Sequence, residues 1–209
     1  MNWNLPRLLS CAALASALRG GALPALNSIG GLMDNPASEE AQETASSGKA
    51  RVGGPFTLIN QDGETVSEET FRGKYMLIYF GFTFCPDVCP TELGVMSAAL
   101  DRLGGRAEKV QPIFITIDPE RDTPEVMARY VKLFNPRLVG LTGTPEQIAD
   151  VAKAYHVFHR KAQDESSSEY TMDHSSIVFL MGPDGEYLKL FPPQTPPDKM
   201  AEMIESYIE

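Results

Sequence analysis

The sequence predicts an α/β domain built on one mixed central sheet, with helices on both faces and a hairpin at its start. Three observations carry this. Residues 76–82 and 112–117 are nearly continuous apolar runs, as strands buried on both faces require, and a helical pattern separates them. A strand, helix, strand unit of that kind closes as a right-handed parallel pair. Residues 176–181 and 186–191 then flank Gly182-Pro183-Asp184-Gly185, which reads as an antiparallel hairpin.

The remaining elements follow in order. Residues 56–60 and 65–66 flank Asp62-Gly63, a turn signal that makes them the N-terminal hairpin. The first helix opens at Pro90, because a missing N–H has no intrahelical partner to lose there, and Glu92 sits near its positive end. Leu93, Met96, Leu100 and Leu103 share one face of it, and Gly104-Gly105 stops it. Thr123-Pro124-Glu125 starts a second helix that ends at 134–136, and residues 138–141 form a short strand. Thr144-Pro145-Glu146-Gln147 is a capping box opening a third helix through Tyr155. Asp198 caps a last helix with Met200, Met203, Ile204, Tyr207 and Ile208 on its apolar side. The polar run 163–168 reads as an exposed loop just before His174. This order is a thioredoxin-like plan, with two cysteines at the carboxyl end of a central strand, where open α/β sheets form sites.

Composition narrows the function. At 209 residues and 43% hydrophobic, the chain can build one good core and not two large ones. Asp and Glu number 28 against 18 Lys and Arg, a net charge of −10, so there is no basic footprint for nucleic acid. Residues 1–33 carry no acid and two arginines, Arg7 and Arg19, around an apolar stretch from 8 to 18. That stretch is shorter than the roughly 20 residues of a membrane-spanning helix. It reads as a secretory signal or membrane-anchor leader, with a mitochondrial presequence as the alternative. Leu8-Leu9-Ser10-Cys11 is only a loose lipoprotein box. Residues 34–51, rich in Ala, Ser, Glu and Gly, read as a flexible tether, and 52–209 as the domain.

Cysteine usage points to chemistry. With Cys11 in the leader, the domain keeps only Cys85 and Cys89, too few for a disulfide framework. In Cys85-Pro86-Asp87-Val88-Cys89-Pro90 the two stand at i and i+4 around a helix start, about 6 Å apart, close enough to share an ion or to bond. The helix dipole favours thiolate, which both metal ligation and disulfide exchange need. A closed structural zinc site wants four ligands, and there is no second cysteine pair. His156 and His159 fall where a helix end runs into a strand and read as satisfied or exposed. His174 lies where a loop enters a buried strand, and in a thioredoxin-like sheet that loop faces the cysteine turn. Two thiolates and an imidazole are a soft, trigonal set: thiolates select Cu(I), imidazole also suits Cu(II), and an open fourth position permits release. Asp173 and Met172 are lesser candidates for tuning or joining such a site. Asp118 to Asp122 is a charged loop leading into a helix capped by Thr123, or a further substrate or metal site.

At this point the sequence resembles the Sco/SenC family of copper-binding, thioredoxin-like proteins that serve cytochrome c oxidase assembly. The resemblance is carried by the cysteine motif, by Ile117-Asp118-Pro119-Glu120-Arg121-Asp122-Thr123, by Leu138-Val139-Gly140-Leu141-Thr142-Gly143-Thr144 and by Asp173-His174-Ser175, across 53–208. It implies one copper, as Cu(I) or Cu(II), held by Cys85, Cys89 and His174 on a membrane-tethered domain. It further implies delivery to the CuA site of cytochrome c oxidase subunit II, in the bacterial periplasm or the mitochondrial intermembrane space, with upstream copper carriers there. The family's clean membrane helix is not matched by this leader.

Two other functions compete. In a thiol–disulfide oxidoreductase, Cys85 and Cys89 cycle as a redox-active disulfide and reduce the cysteines of the oxidase copper site, which needs no His174. A peroxiredoxin places Thr or Ser three residues before its reactive cysteine, whereas Pro86 and Phe82 stand there. The sequence offers neither a nucleophile elbow nor a Gly-rich phosphate loop.

Overall fold

The computed structural model describes residues 51–163 and 169–208. The leader at 1–33, all but the last residue of the tether, and residues 164–168 of the polar run lie outside them. Within them a seven-stranded sheet has the order β2-β1-β5-β4-β3-β8-β9. At its centre β3 (Tyr75–Gly81) and β4 (Val110–Thr116) run parallel, joined through α1 (Val88–Leu103). Beyond β4, β5 (Val139–Thr142) is also parallel, reached through α2 (Pro124–Val131). The N-terminal hairpin, β1 (Thr57–Asn60) and β2 (Thr65–Ser67), closes that edge antiparallel to β5. On the other side β8 (Val178–Met181) pairs antiparallel with β3 and β9 (Tyr187–Phe191) with β8. The mixed, helix-flanked sheet is the architecture expected from the sequence.

Why the centre holds is visible in β3. Every residue from Met76 to Gly81 is buried, because consecutive side chains serve opposite faces. Tyr79 stacks near Phe114, which in turn meets Tyr130 of α2. Its neighbour Phe80 instead packs with Phe179 and with Tyr155, the residue that ends α3 (Pro145–Ala154). The final helix, α4 (Pro197–Glu205), lies against α1.

Helix ends agree with the sequence in most places. The Thr123 hydroxyl caps α2, accepting the Val126 N–H. Thr144 and Gln147 form the reciprocal capping box of α3, at 3.2 and 2.8 Å. Gly104, at φ 56°, ends α1 in the left-handed region. Three details differ. Helix α1 begins at Val88, so Pro90 is its third residue; first-turn N–H groups lack intrahelical partners, so proline is harmless there too. Asp198 sits inside the first turn of α4 and not at its cap, because Pro196-Pro197 preset the entry. Helix α2 stops at Val131, short of the expected 134–136.

The larger difference lies before β8. The loop expected there is a two-stranded antiparallel hairpin, β6 (His159–Gln163) with β7 (Tyr170–His174), in which His159 faces His174. Its strands are mostly polar, so they lack the apolar alternation by which a strand is recognised. Replacing Thr144 by Ala, which removes the α3 cap, is expected to lower stability by about 1 kcal/mol in urea unfolding, with Thr144→Ser retaining most of it.

Candidate metal centre

The site forms where β3 runs out. After Gly81 the chain turns, the Cys85 N–H donating to the Phe82 carbonyl, and α1 begins three residues later. Cys89 is the second helical residue, and its N–H, one of those a helix start leaves free, donates to Cys85 Sγ at 3.3 Å. Both cysteines are reduced and buried. From across the sheet, the end of β7 brings His174 Nε2 to 3.4 Å from Cys89 Sγ. The donor atoms of Cys85, Cys89 and His174 all lie within 4.8 Å of one another. They are the one such grouping of three or more His, Cys, Asp or Glu found among the described residues.

The surroundings fix the imidazole. His174 Nδ1 lies 3.1 Å from the Ser175 carbonyl, which only accepts, so Nδ1 carries a proton, and Nε2 faces the sulfurs. Phe82 and Tyr79 meet the ring edge-on, at 5.9 and 6.2 Å. The Tyr79 hydroxyl hydrogen-bonds Ser176 at 2.9 Å, tying the start of the next segment to the sheet floor. Gly81 makes room beneath: a Cβ there would come within 2.9 Å of both Cys89 Sγ and Phe114 Cε2.

The two thiols are not equivalent. Cys85 is lowered to about 4, chiefly because Cys89 donates to its sulfur, with His174 and backbone N–H groups adding to this against burial. Cys89 is pushed up, because the same hydrogen bond and burial both favour its protonated form. The reduced pair therefore holds one thiolate and one thiol. Bonds of about 2.0–2.3 Å from thiolate and imidazole require donors about 4 Å apart, so a small inward shift would let these three share one ion. They are a soft set with two sulfurs and one nitrogen. Equally, a low-pKa thiolate beside a second thiol is the arrangement of disulfide exchange.

Other candidates fall outside this cluster. His156, at φ 56°, has its ring nitrogen 3.0 Å from the Arg51 carbonyl. His159 lies opposite His174 in the hairpin, and Met172 is buried two residues before it, but neither is among the gathered donors. Asp173 pairs with Arg160 on the outer face. The charged loop from Asp118 to Asp122 does lead into α2 with Thr123 as its cap, but its two aspartates are buried, at 1% and 0% exposed. Asp122 accepts from the Thr83 N–H, the Thr83 hydroxyl and the Thr116 hydroxyl, and burial pushes its carboxyl up. Glu92, near the positive end of α1 as expected, is also fully buried, accepting the Gln194 N–H at 2.6 Å. Tyr79 and Gly81, within the apolar run of β3, and Ser176 gave no separate signal in the sequence.

The model of the SCO1/SenC family matches residues 44–209 of this chain. The chain belongs to the SCO1/SenC family. Among its relatives is the mitochondrial SCO1 homolog 1 of Arabidopsis thaliana, 46% identical over 158 residues, which cover 75% of this chain and 47% of the relative. The chain thus spans about half the length of that curated Sco protein. Among solved Sco structures, Arabidopsis thaliana ScoI with copper bound aligns with a TM-score of 0.72 at 42% identity, covering 75% of this chain and 98% of that one. Bradyrhizobium japonicum ScoI with copper bound aligns at 0.69 and 43%, covering 75% and 99%. The family's copper-bound structures and the thioredoxin-like architecture fit the fold derived above.

Two outcomes follow for the reduced Sco domain. Its fold favours ionised Cys85, so that contribution to stability is complete above the ordinary thiol value of 9.0 and is lost as pH falls through about 4. Iodoacetamide alkylation of Cys85, followed by mass spectrometry, should accordingly reach half its maximal rate near pH 4, with Cys89 unreactive at neutral pH. Gly81→Ala should cost about 1–3 kcal/mol in urea unfolding, because the new methyl displaces Cys89 Sγ or Phe114.

Proposed function

We propose that this Sco protein is a copper metallochaperone in which Cys85, Cys89 and His174 hold one copper ion and pass it to the CuA site of cytochrome c oxidase subunit II. The observation that carries this reading is the approach of His174 Nε2 to 3.4 Å from Cys89 Sγ. Dithiol exchange does not need an imidazole there, whereas a three-coordinate copper does. Two sulfurs suit Cu(I), and the imidazole lets the same site accept Cu(II). Three protein donors leave a position through which an incoming ligand of the partner can enter before the carrier's own donors leave. The copper-bound Arabidopsis and Bradyrhizobium relatives support the choice of metal.

The split ionisation of the cysteines favours an accessory role as a reductant of the same target. Cys85 thiolate attacks one sulfur of the target's disulfide, and the other target sulfur leaves as a thiolate. Cys89 gives up its proton and attacks Cys85 Sγ, releasing the second target thiolate. The carrier is oxidised to the Cys85–Cys89 disulfide as the target gains its two electrons. The protein is thus a carrier and not a turnover enzyme. In this reading the domain is held at the inner membrane facing the bacterial periplasm, or at the mitochondrial inner membrane facing the intermembrane space, and upstream copper carriers there load it; the acid-free leader and polar tether of the sequence support it. No helix among the described residues is long and apolar enough to cross a membrane.

Anaerobic Cu(I) titration with X-ray absorption should give one copper per chain, with two sulfurs and one nitrogen. His174→Ala should weaken Cu(I) by more than the roughly 10- to 100-fold typical of losing a supporting contact, while alkylation of Cys85 is retained. Unchanged affinity in that variant would remove the metallochaperone reading and leave the reductant.

A further inference from the structure

The segment from Asp118 to Asp122 joins the two halves of the metal centre. On the cysteine side, Asp122 grips Thr83 through two hydrogen bonds, the backbone N–H donating to Oδ2 at 3.0 Å and the hydroxyl to Oδ1 at 2.5 Å. On the histidine side, Asp118 accepts the Tyr170 hydroxyl at 2.8 Å, at the start of the strand that ends in His174. Between the two acids lies Arg121. Its guanidinium sits 3.8 Å from the Tyr170 ring centroid and 4.8 Å from that of Phe84, the residue before Cys85. It also lies 5.9 Å from Phe82, whose ring meets His174 edge-on at 5.9 Å. Nε is ion-paired with Asp118, and Nη1 donates to the Tyr170 carbonyl at 2.9 Å.

We propose that Arg121 is a positioning residue that holds His174 over the cysteines by clamping the β6–β7 hairpin to the cysteine loop. The inference rests on His174 being a metal donor. The physical reason is leverage. A two-stranded ribbon has no sheet neighbour to steady it, and this one is tied down at its base, where Ser176 bonds Tyr79, by buried Met172 at mid-strand, and beyond that by Lys161 on Glu120 and by Arg121. From Tyr170 to His174 the strand extends about 13 Å, at roughly 3.3 Å per residue. Without a hold at the far end the ribbon could rotate about its base, and the His174 ring at that base would turn with it. Arg121 fixes the other end, and it does so with a planar, five-donor group that stacks and hydrogen-bonds at once, which lysine cannot reproduce. The same guanidinium covers Phe82 and Phe84, so the hairpin is fixed to the segment that carries the cysteines and not to an unrelated surface.

The test is a double-mutant cycle in Cu(I) affinity, measured by competition with a chromophoric chelator on the intact protein. Arg121→Met keeps the length and apolar stem but loses both stacking charge and donors. It should weaken Cu(I) by about 10- to 100-fold, with Arg121→Lys no better, and should remove the nitrogen from the X-ray absorption shell while the two sulfurs stay. In the His174→Ala background, Arg121→Met should weaken Cu(I) no further. An equal loss in both backgrounds would mean a general structural effect and would overturn the proposal, as would wild-type affinity in Arg121→Met when His174→Ala is impaired. Wild-type affinity in His174→Ala itself would instead bring down the donor reading on which the proposal stands. Tyr170→Leu releases the clamp from the hairpin side without touching the cysteine loop. It should reproduce the pattern of Arg121→Met, so the cycle can be run even if loss of the arginine impairs folding.

Discussion

The antiparallel pairing of β8 with β3 is the constraint on which the metal centre depends. Tyr79 stands opposite Val178, so the carboxyl end of one strand lies beside the entry to the other. A residue just after β3 and a residue just before β8 must therefore meet, however far apart they are along the chain. Cys85 and Cys89 follow the first strand, and His174 precedes the second. Were β8 parallel to β3, the imidazole would stand at the opposite edge of the sheet. Gly81 completes the arrangement, because it is the one position on the floor where a side chain would occupy the space of Cys89 Sγ.

Burial then decides the chemistry. Two adjacent thiols in a mostly dry site cannot both ionise, so one becomes the acceptor and the other the donor of a single hydrogen bond. Helix geometry settles which is which. The free first-turn N–H of Cys89 points at Cys85 Sγ and stabilises charge there. The resulting thiolate and thiol beside the imidazole form a site that is ready for a soft cation, since only one further thiol proton must leave when both sulfurs ligate. The same asymmetry equips the pair for electron exchange, which is why the two roles share one set of atoms.

Around this centre the buried acids are structural. Asp122 is held by hydroxyl and amide donors of the cysteine loop, Asp118 by Arg121 and Tyr170, and Glu92 by a backbone N–H after β9. Buried carboxylates are tolerated when donors offset their desolvation; Asp118 and Asp122 have several, whereas Glu92 keeps one, on Oε1, and leaves Oε2 without a partner. The acids thereby fix loops that have little apolar surface of their own. The hairpin carrying His174 is the clearest case, since its strands bury little and its outer face is ionic.

The sequence by itself determined the elements whose signal is local. The apolar runs at 76–82 and 112–117, the Thr-Pro starts of α2 and α3, the glycine stop of α1 and the close cysteine pair were all legible, because periodicity and capping act over a few residues. The family motifs added the expectation that His174 belongs with the cysteines. Tertiary structure alone decided that the segment before β8 is a hairpin, that Asp118, Asp122 and Glu92 are buried, and that Arg121 lies by the rings of Phe84 in the cysteine loop and Tyr170 in β7. None of these has a local signature. A polar strand lacks the alternation that reveals a half-buried one, and a charged residue reads as solvated until the donors that permit its burial arrive from elsewhere in the chain.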